Sequence, residues 1–83
     1  MKEEDLTKAI ELKKKLDSER ELLEFANSHY VDLRVSLESR CDHGRVLNID
    51  YLLGNDTIKG LRAMVIANIE RRINDLQEEL EKL

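Results

Sequence analysis

The sequence predicts an α+β fold in which two long antiparallel helices, coiled-coil-like in their patterning, flank a central β-hairpin in the order α-β-β-α. Three observations carry this. Near both ends of the chain, apolar residues recur at alternating steps of three and four, the stripe of one helix packed along another. Between those stretches the repeat changes to two, as a half-buried strand requires. Composition agrees: 39% of the 83 residues are charged, and proline and tryptophan are absent, a profile of long helices.

The first helix is predicted over residues 3–27. Ala9, Leu12, Leu16, Glu19, Leu23, Ala26 and Tyr30 keep heptad spacing, with Leu6, Ile10 and Leu22 beside them. Glu19 is the one charge on this seam. Glu3, Glu4 and Asp5 suit the positive end of the helix dipole, and Asn27 tolerates the left-handed conformation that closes a helix.

The hairpin is predicted over residues 30–50. Val31, Leu33, Val35 and Leu37 point one way and Asp32, Arg34, Ser36 and Glu38 the other, and Leu47 and Ile49 repeat the pattern in a second strand. A three-residue loop of Asp42, His43 and Gly44 places Cys41 opposite Arg45, Ser39 opposite Leu47 and Leu37 opposite Ile49. Gly44 then takes the left-handed turn position, Asp42 bonds back to nearby amides and His43 sits at the exposed tip.

The second helix is predicted over residues 55–82, starting at Asn55 or Asp56 after a break at Gly54, with both side chains suited to an N-cap. Its seam is Ile66, Ile69, Ile73, Leu76, Leu80 and Leu83. Upstream, Ile58, Leu61 and Val65 reach Ile69 by two successive steps of four, a stutter that widens the apolar face toward Met64. Gly60 lies inside the helix and weakens it by roughly 1 kcal/mol relative to alanine unless a close contact needs its missing side chain. Across the two helices, Glu19 is expected to pair with Arg72 and set their register.

A chain of this size is expected to form a single domain, residues 1–83, that buries only a modest core. Small scaffolds of this kind use disulfides, a metal or a partner subunit for stability. With one cysteine, Cys41, an intrachain disulfide is excluded, so self-association is the expected source. A two-stranded ribbon with open edges is marginal alone. The predicted assembly is therefore a homodimer or a higher even oligomer, joined through hairpin edges, through the widened face at Leu61, Met64 and Val65, or both. No apolar run is long enough to span a bilayer, and the N-terminus MKEEDLTKAIELKKK is charged where a secretion signal is apolar; a soluble, cytoplasmic protein is expected. Fourteen basic against eighteen acidic residues give a net charge of −4, which argues against general nucleic-acid binding.

Motifs that suggest chemistry have simpler readings. Cys41 and His43 lack the orienting third group of a nucleophile pair, and with His29 they cannot complete a four-ligand zinc site. GNDTIKG opens a helix between glycines, but no lysine followed by serine or threonine comes after it, as a phosphate-binding P-loop requires. NDT matches a glycosylation acceptor that matters only in a secreted chain. Lys13, Lys14 and Lys15 fan around a helix rather than converging. No catalytic residue, metal or cofactor is predicted, and an enzyme is not expected. The candidate ligand site is Arg34, Tyr51, Lys59 and Arg62, with Tyr30, near the junction of hairpin and helices. Arginine forks grip phosphate or carboxylate, and tyrosine stacks on a base or bonds a ribose. The competing reading is that the basic residues pair with Glu24, Asp32 or Asp50.

The helix, hairpin, helix order, with ends that read KAIELKKKLDSERELLEF and IERRINDLQEELEKL, resembles small proteins of tailed phages and prophages. The resemblance implies an antagonist of host defence, acting in the host cytoplasm, that either sequesters a nucleotide signal in an oligomer or blocks a defence protein. In outline the chain is also similar to the beta-type prefoldin subunit, a coiled coil interrupted by a hairpin, though its helices are shorter. The function expected is a non-enzymatic oligomeric binding protein for an anionic, nucleotide-like ligand at a subunit interface. The alternatives are a protein–protein inhibitor or adaptor acting through helix faces or hairpin, and a structural coiled-coil subunit.

Overall fold

The computed structural model describes residues 2–41 and 44–83. Two long helices, α1 (Glu3–Asn27) and α3 (Asn55–Glu81), bracket the strands β1 (Ser36–Glu38) and β2 (Val46–Asn48) and a single helical turn, α2 (Asp50–Leu53). The body is elongated, 53 × 31 × 19 Å. The long helices run antiparallel: Ala26 lies beside Arg62, Glu19 beside Arg72 and Lys14 beside Asp75.

The core is the predicted seam. Leu12 and Leu16 from α1 and Ile69 and Ile73 from α3 are buried, and Leu23, Ala26 and Leu76 pack against Leu16, Ile69 and Ile73. Each such side chain contributes on the order of 1.5–3 kcal/mol by leaving water. Glu19 is buried with them at 9% exposure and pairs with Arg72, as expected from the sequence. Tyr30, which continues the heptad spacing, falls beyond the end of α1 and is 97% exposed.

Helix ends depart from expectation in an informative way. Asn27 does not close α1 in a left-handed conformation, because among the described residues only Gly44 and Gly54 have positive φ. Ser28 instead leaves in an extended conformation and its amide donates to the Phe25 carbonyl, while the Ala26 carbonyl is met from a distance by Arg62. Nor do Asn55 and Asp56 cap α3: its N-cap is Gly54, at φ 86°, and no side chain bonds the first turn. Gly54 is needed for that backbone conformation, which lets α2 turn directly into α3.

In the hairpin, Val31, Leu33 and Val35 are half-buried while Asp32 and Arg34 are exposed, the predicted alternation. The pairing register is different. Ser36 faces Asn48, Leu37 faces Leu47 and Glu38 faces Val46, and the Ser39 amide donates to the Arg45 carbonyl. Leu37 therefore meets Leu47 rather than Ile49, and Ser39 meets Arg45 rather than Leu47, a shift of two residues that keeps the same side chains on the same face. Gly44 has the expected positive φ; the roles expected of Asp42 and His43 lie outside the described residues. The paired strands themselves are exposed along their whole length, so only the 31–35 segment, not the ribbon, is covered by the helices.

Gly60 has open space where a Cβ would sit. No close contact requires glycine there, so Gly60→Ala is expected to stabilise the protein by about 1 kcal/mol, read as a higher urea midpoint with an unchanged slope.

Candidate functional site

The turn from strand to helix builds an open groove. Gly54 redirects the chain so that α2 and the first turns of α3 face the extended 31–35 segment, and the walls are formed by Asp32, Leu33, Arg34, Asp50, Ile58 and Lys59 with Tyr51 and Arg62. Its volume is about 700 Å³. Four of the five residues predicted to form a ligand site, Arg34, Tyr51, Lys59 and Arg62, thus converge. Tyr30 does not: it stands beside Arg20, Glu24 and His29 on a different part of the surface.

Convergence does not leave every cation available. Arg34 donates from Nη1 to Asp50 Oδ2 at 2.9 Å, the ion pair that the competing reading anticipates. Arg62 turns inward. Its Nε and Nη2 donate to the Ala26 carbonyl at 3.0 and 2.7 Å, Nη2 also to the Ser28 carbonyl at 2.7 Å, and Nη1 to the Val31 carbonyl at 2.6 Å. It serves as the missing C-cap of α1, where a cation also complements the negative end of the helix dipole. Three cations and two carboxylates, Asp32 and Asp50, line the groove, leaving a modest positive balance centred on Lys59. No known family, curated protein or solved structure matches the chain.

Asp50 ties the hairpin root to the groove. Its Oδ1 accepts from the Val35 amide and its Oδ2 from Arg34, while the Ile49 amide donates to the Val35 carbonyl at 2.9 Å. The Val35 amide foremost, and then the Arg34 guanidinium, hold the Asp50 carboxyl below the usual carboxylate range. A depressed folded-state pKa stabilises the fold at pH above the ordinary carboxylate value, and that contribution is lost as pH falls through the folded one. Acidification below about pH 4 is therefore expected to lower the amide protection factors of Val35 and Ile49, and Asp50→Asn to remove most of that pH dependence. Protection that stays constant in the parent chain down to acid pH would contradict this role.

A second concavity was not legible as a site. Between α1 and α3, Leu22, Phe25, Val31, Leu33, Val65 and Ile69 line an apolar groove of about 430 Å³. Leu22 and Val65 carry signals in the sequence, one beside the first seam and one at the stutter, but Phe25 carries only its three-residue spacing from Leu22. Among the described residues, no group of three or more histidine, cysteine or acidic side chains is placed to hold a metal, and no helix is long and apolar enough to cross a membrane.

Proposed function

We propose that the chain is a non-enzymatic binding protein of the adaptor or inhibitor class that engages a protein target through its projecting hairpin. The supporting observation is the exposure of the paired ribbon: Leu37 and Leu47 face each other across the strands yet remain 60% and 58% exposed, and a two-stranded sheet leaves both outer edges open. An extended segment of a target adds to such an edge through main-chain hydrogen bonds while the apolar pair supplies side-chain specificity. Both side chains are exposed, so Leu37→Lys and Leu47→Lys leave the melting temperature nearly unchanged but abolish target capture from the cells in which the protein acts. Hydrogen exchange on the captured complex slows over residues 36–38 and 46–48. Capture that survives both substitutions, or protection confined to the helices, would move the binding surface elsewhere.

The convergence of Arg34, Tyr51, Lys59 and Arg62 favours a second reading, a nucleotide-like anion held in the groove. With Arg62 committed to α1 and Arg34 shared with Asp50, Lys59 is the primary contact and Tyr51 the stacking surface. A panel of linear and cyclic nucleotides then raises the melting temperature of the parent chain, and Lys59→Glu removes the gain. A flat response across the panel discards this reading and leaves the hairpin reading intact. Either activity suits an antagonist of host defence, the role implied by the phage resemblance.

A further inference from the structure

We infer that a second copy of this chain docks, two-fold related, into the apolar groove between α1 and α3, with Phe25 and Val65 at its centre. This association does not rest on what the hairpin binds, although Asp32, Leu33 and Arg62 line both this groove and the cation-lined one.

The first argument is area. A globular chain of 9.7 kDa exposes about 5,100 Å², whereas this one exposes 7243 Å². The excess of roughly 2,100 Å² lies in the range that one subunit loses in an obligate dimer. Part of it comes from the elongated shape and part from exposed apolar residues elsewhere, such as Leu37 and Leu47; within the groove Phe25 is 61% exposed and Leu22 and Val65 are also exposed. An exposed apolar groove with charged groups at its ends is the kind of surface at which chains associate.

The second argument is charge. The groove has Asp32 and Arg62 at the hairpin end and Arg72 at the other. Arg62 is taken up by the Ala26, Ser28 and Val31 carbonyls, so Asp32 is the charge at that end that a second copy's Arg72 can meet. Asp32 lies next to Val31, whose carbonyl Arg62 holds, and Arg62 and Arg72 are ten residues apart on α3, about 15 Å along the axis. A two-fold axis lying in the interface plane, at right angles to the groove's length, exchanges the two copies and reverses the groove's ends. It sets Arg72 of each copy opposite Asp32 of the other, while the apolar middle meets itself, the self-complementarity that an isologous interface requires. Arg72 remains accessible for this, its side chain being 64% exposed although its Nη2 is paired with Glu19. Asn68, near the midpoint, is then close to its own counterpart. The interface predicted from the sequence, hairpin edges or the Leu61, Met64 and Val65 face, is thereby narrowed to a surface that shares only Val65 with it.

Sedimentation equilibrium at micromolar concentration is expected to give twice 9.7 kDa for the parent chain. Val65→Glu, which buries an unpaired charge at the interface centre, weakens association at least about 100-fold. Covalent trapping supplies a readout that does not require a stable monomer. In a Cys41→Ser background, Asn68→Cys forms an intermolecular disulfide on mild oxidation, because two-fold neighbours fall within the reach of the bond. Glu70→Cys, exposed but outside the groove, does not. A parent chain that stays monomeric, whether the groove is simply wet or kept for another protein, overturns the inference. So does a dimer that keeps its mass in Val65→Glu, or one that cross-links through Glu70→Cys and not through Asn68→Cys.

Discussion

Arg62→Leu is expected to melt more than about 10 °C below the parent chain. A helix leaves its last four carbonyls without intrahelical donors, and α1 ends with no basic residue in its last turn and no left-handed cap. Arg62 reaches from α3 to the Ala26 carbonyl in the last turn of α1, to that of the C-cap Ser28 and to that of Val31 in the segment that follows. Charge-assisted hydrogen bonds contribute about 1.5–3 kcal/mol each, and leaving buried acceptors unmet costs a similar amount. Because these carbonyls are only half-buried, a loss of about 3 kcal/mol for the whole set is the reasonable scale, and in a domain of this size about 1 kcal/mol moves the midpoint by 4–8 °C. Leucine keeps the apolar stem, so the loss reports the guanidinium itself. Arg62→Lys recovers little, since a single ammonium cannot span three carbonyls held by a planar fork. Thermal and urea unfolding followed by circular dichroism measure both variants. An Arg62→Leu midpoint within a few degrees of the parent would show that the clamp adds nothing.

The Glu19–Arg72 pair is expected to answer its two possible truncations with opposite signs. Glu19 is buried in the seam, its Oε1 is paired with Arg72, and its Oε2 is buried without a partner. Arg72 stands largely in water. Removing the arginine leaves a carboxylate desolvated and uncompensated, which costs about 3–5 kcal/mol for a fully buried pair and toward the lower end here. Glu19→Leu removes that carboxylate and extends the Leu16 and Leu23 packing, and Arg72, whose side chain is largely exposed, is not left as a buried unpaired charge, so stability rises by about 1–2 kcal/mol. Urea midpoints of Arg72→Ala and Glu19→Leu should thus fall on opposite sides of the parent value. The cost of retaining Glu19 is consistent with a role in register, since an all-apolar seam permits the helices to slide by a turn whereas one buried acid with one partner does not. Equal destabilisation by both substitutions would mean that the pair is a net stabiliser and that this role is unnecessary.

The groove expected to bind a ligand illustrates how residue type and residue use separate. Arg34, Tyr51, Lys59 and Arg62 could be grouped from their positions around the strand-to-helix junction, and the fold does bring them together. Which of them face a ligand could not be read, because that depends on partners distant in sequence. Arg62 is engaged with Ala26, 36 residues away, and Arg34 with Asp50, 16 residues away. A signal for the first existed in retrospect: a long helix ending in ANSHY without glycine, lysine or arginine needs an external donor for its carbonyls.

The linear sequence by itself determined where the two long helices lie, which residues form the seam, that the middle switches to extended structure, and that Glu19 meets Arg72. Each rests on local periodicity: helix and strand place side chains at fixed angular intervals, and burial selects the interval that collects apolar groups on one side. Only the tertiary structure decided the hairpin register, the closing of α1 by Arg62, the extra turn of α2, and the open groove beside Phe25. A shift of two residues preserves which side chains share a face, so apolar alternation cannot choose between registers in a ribbon whose faces are exposed. The remaining features depend on groups far apart along the chain that meet only after the two long helices have packed.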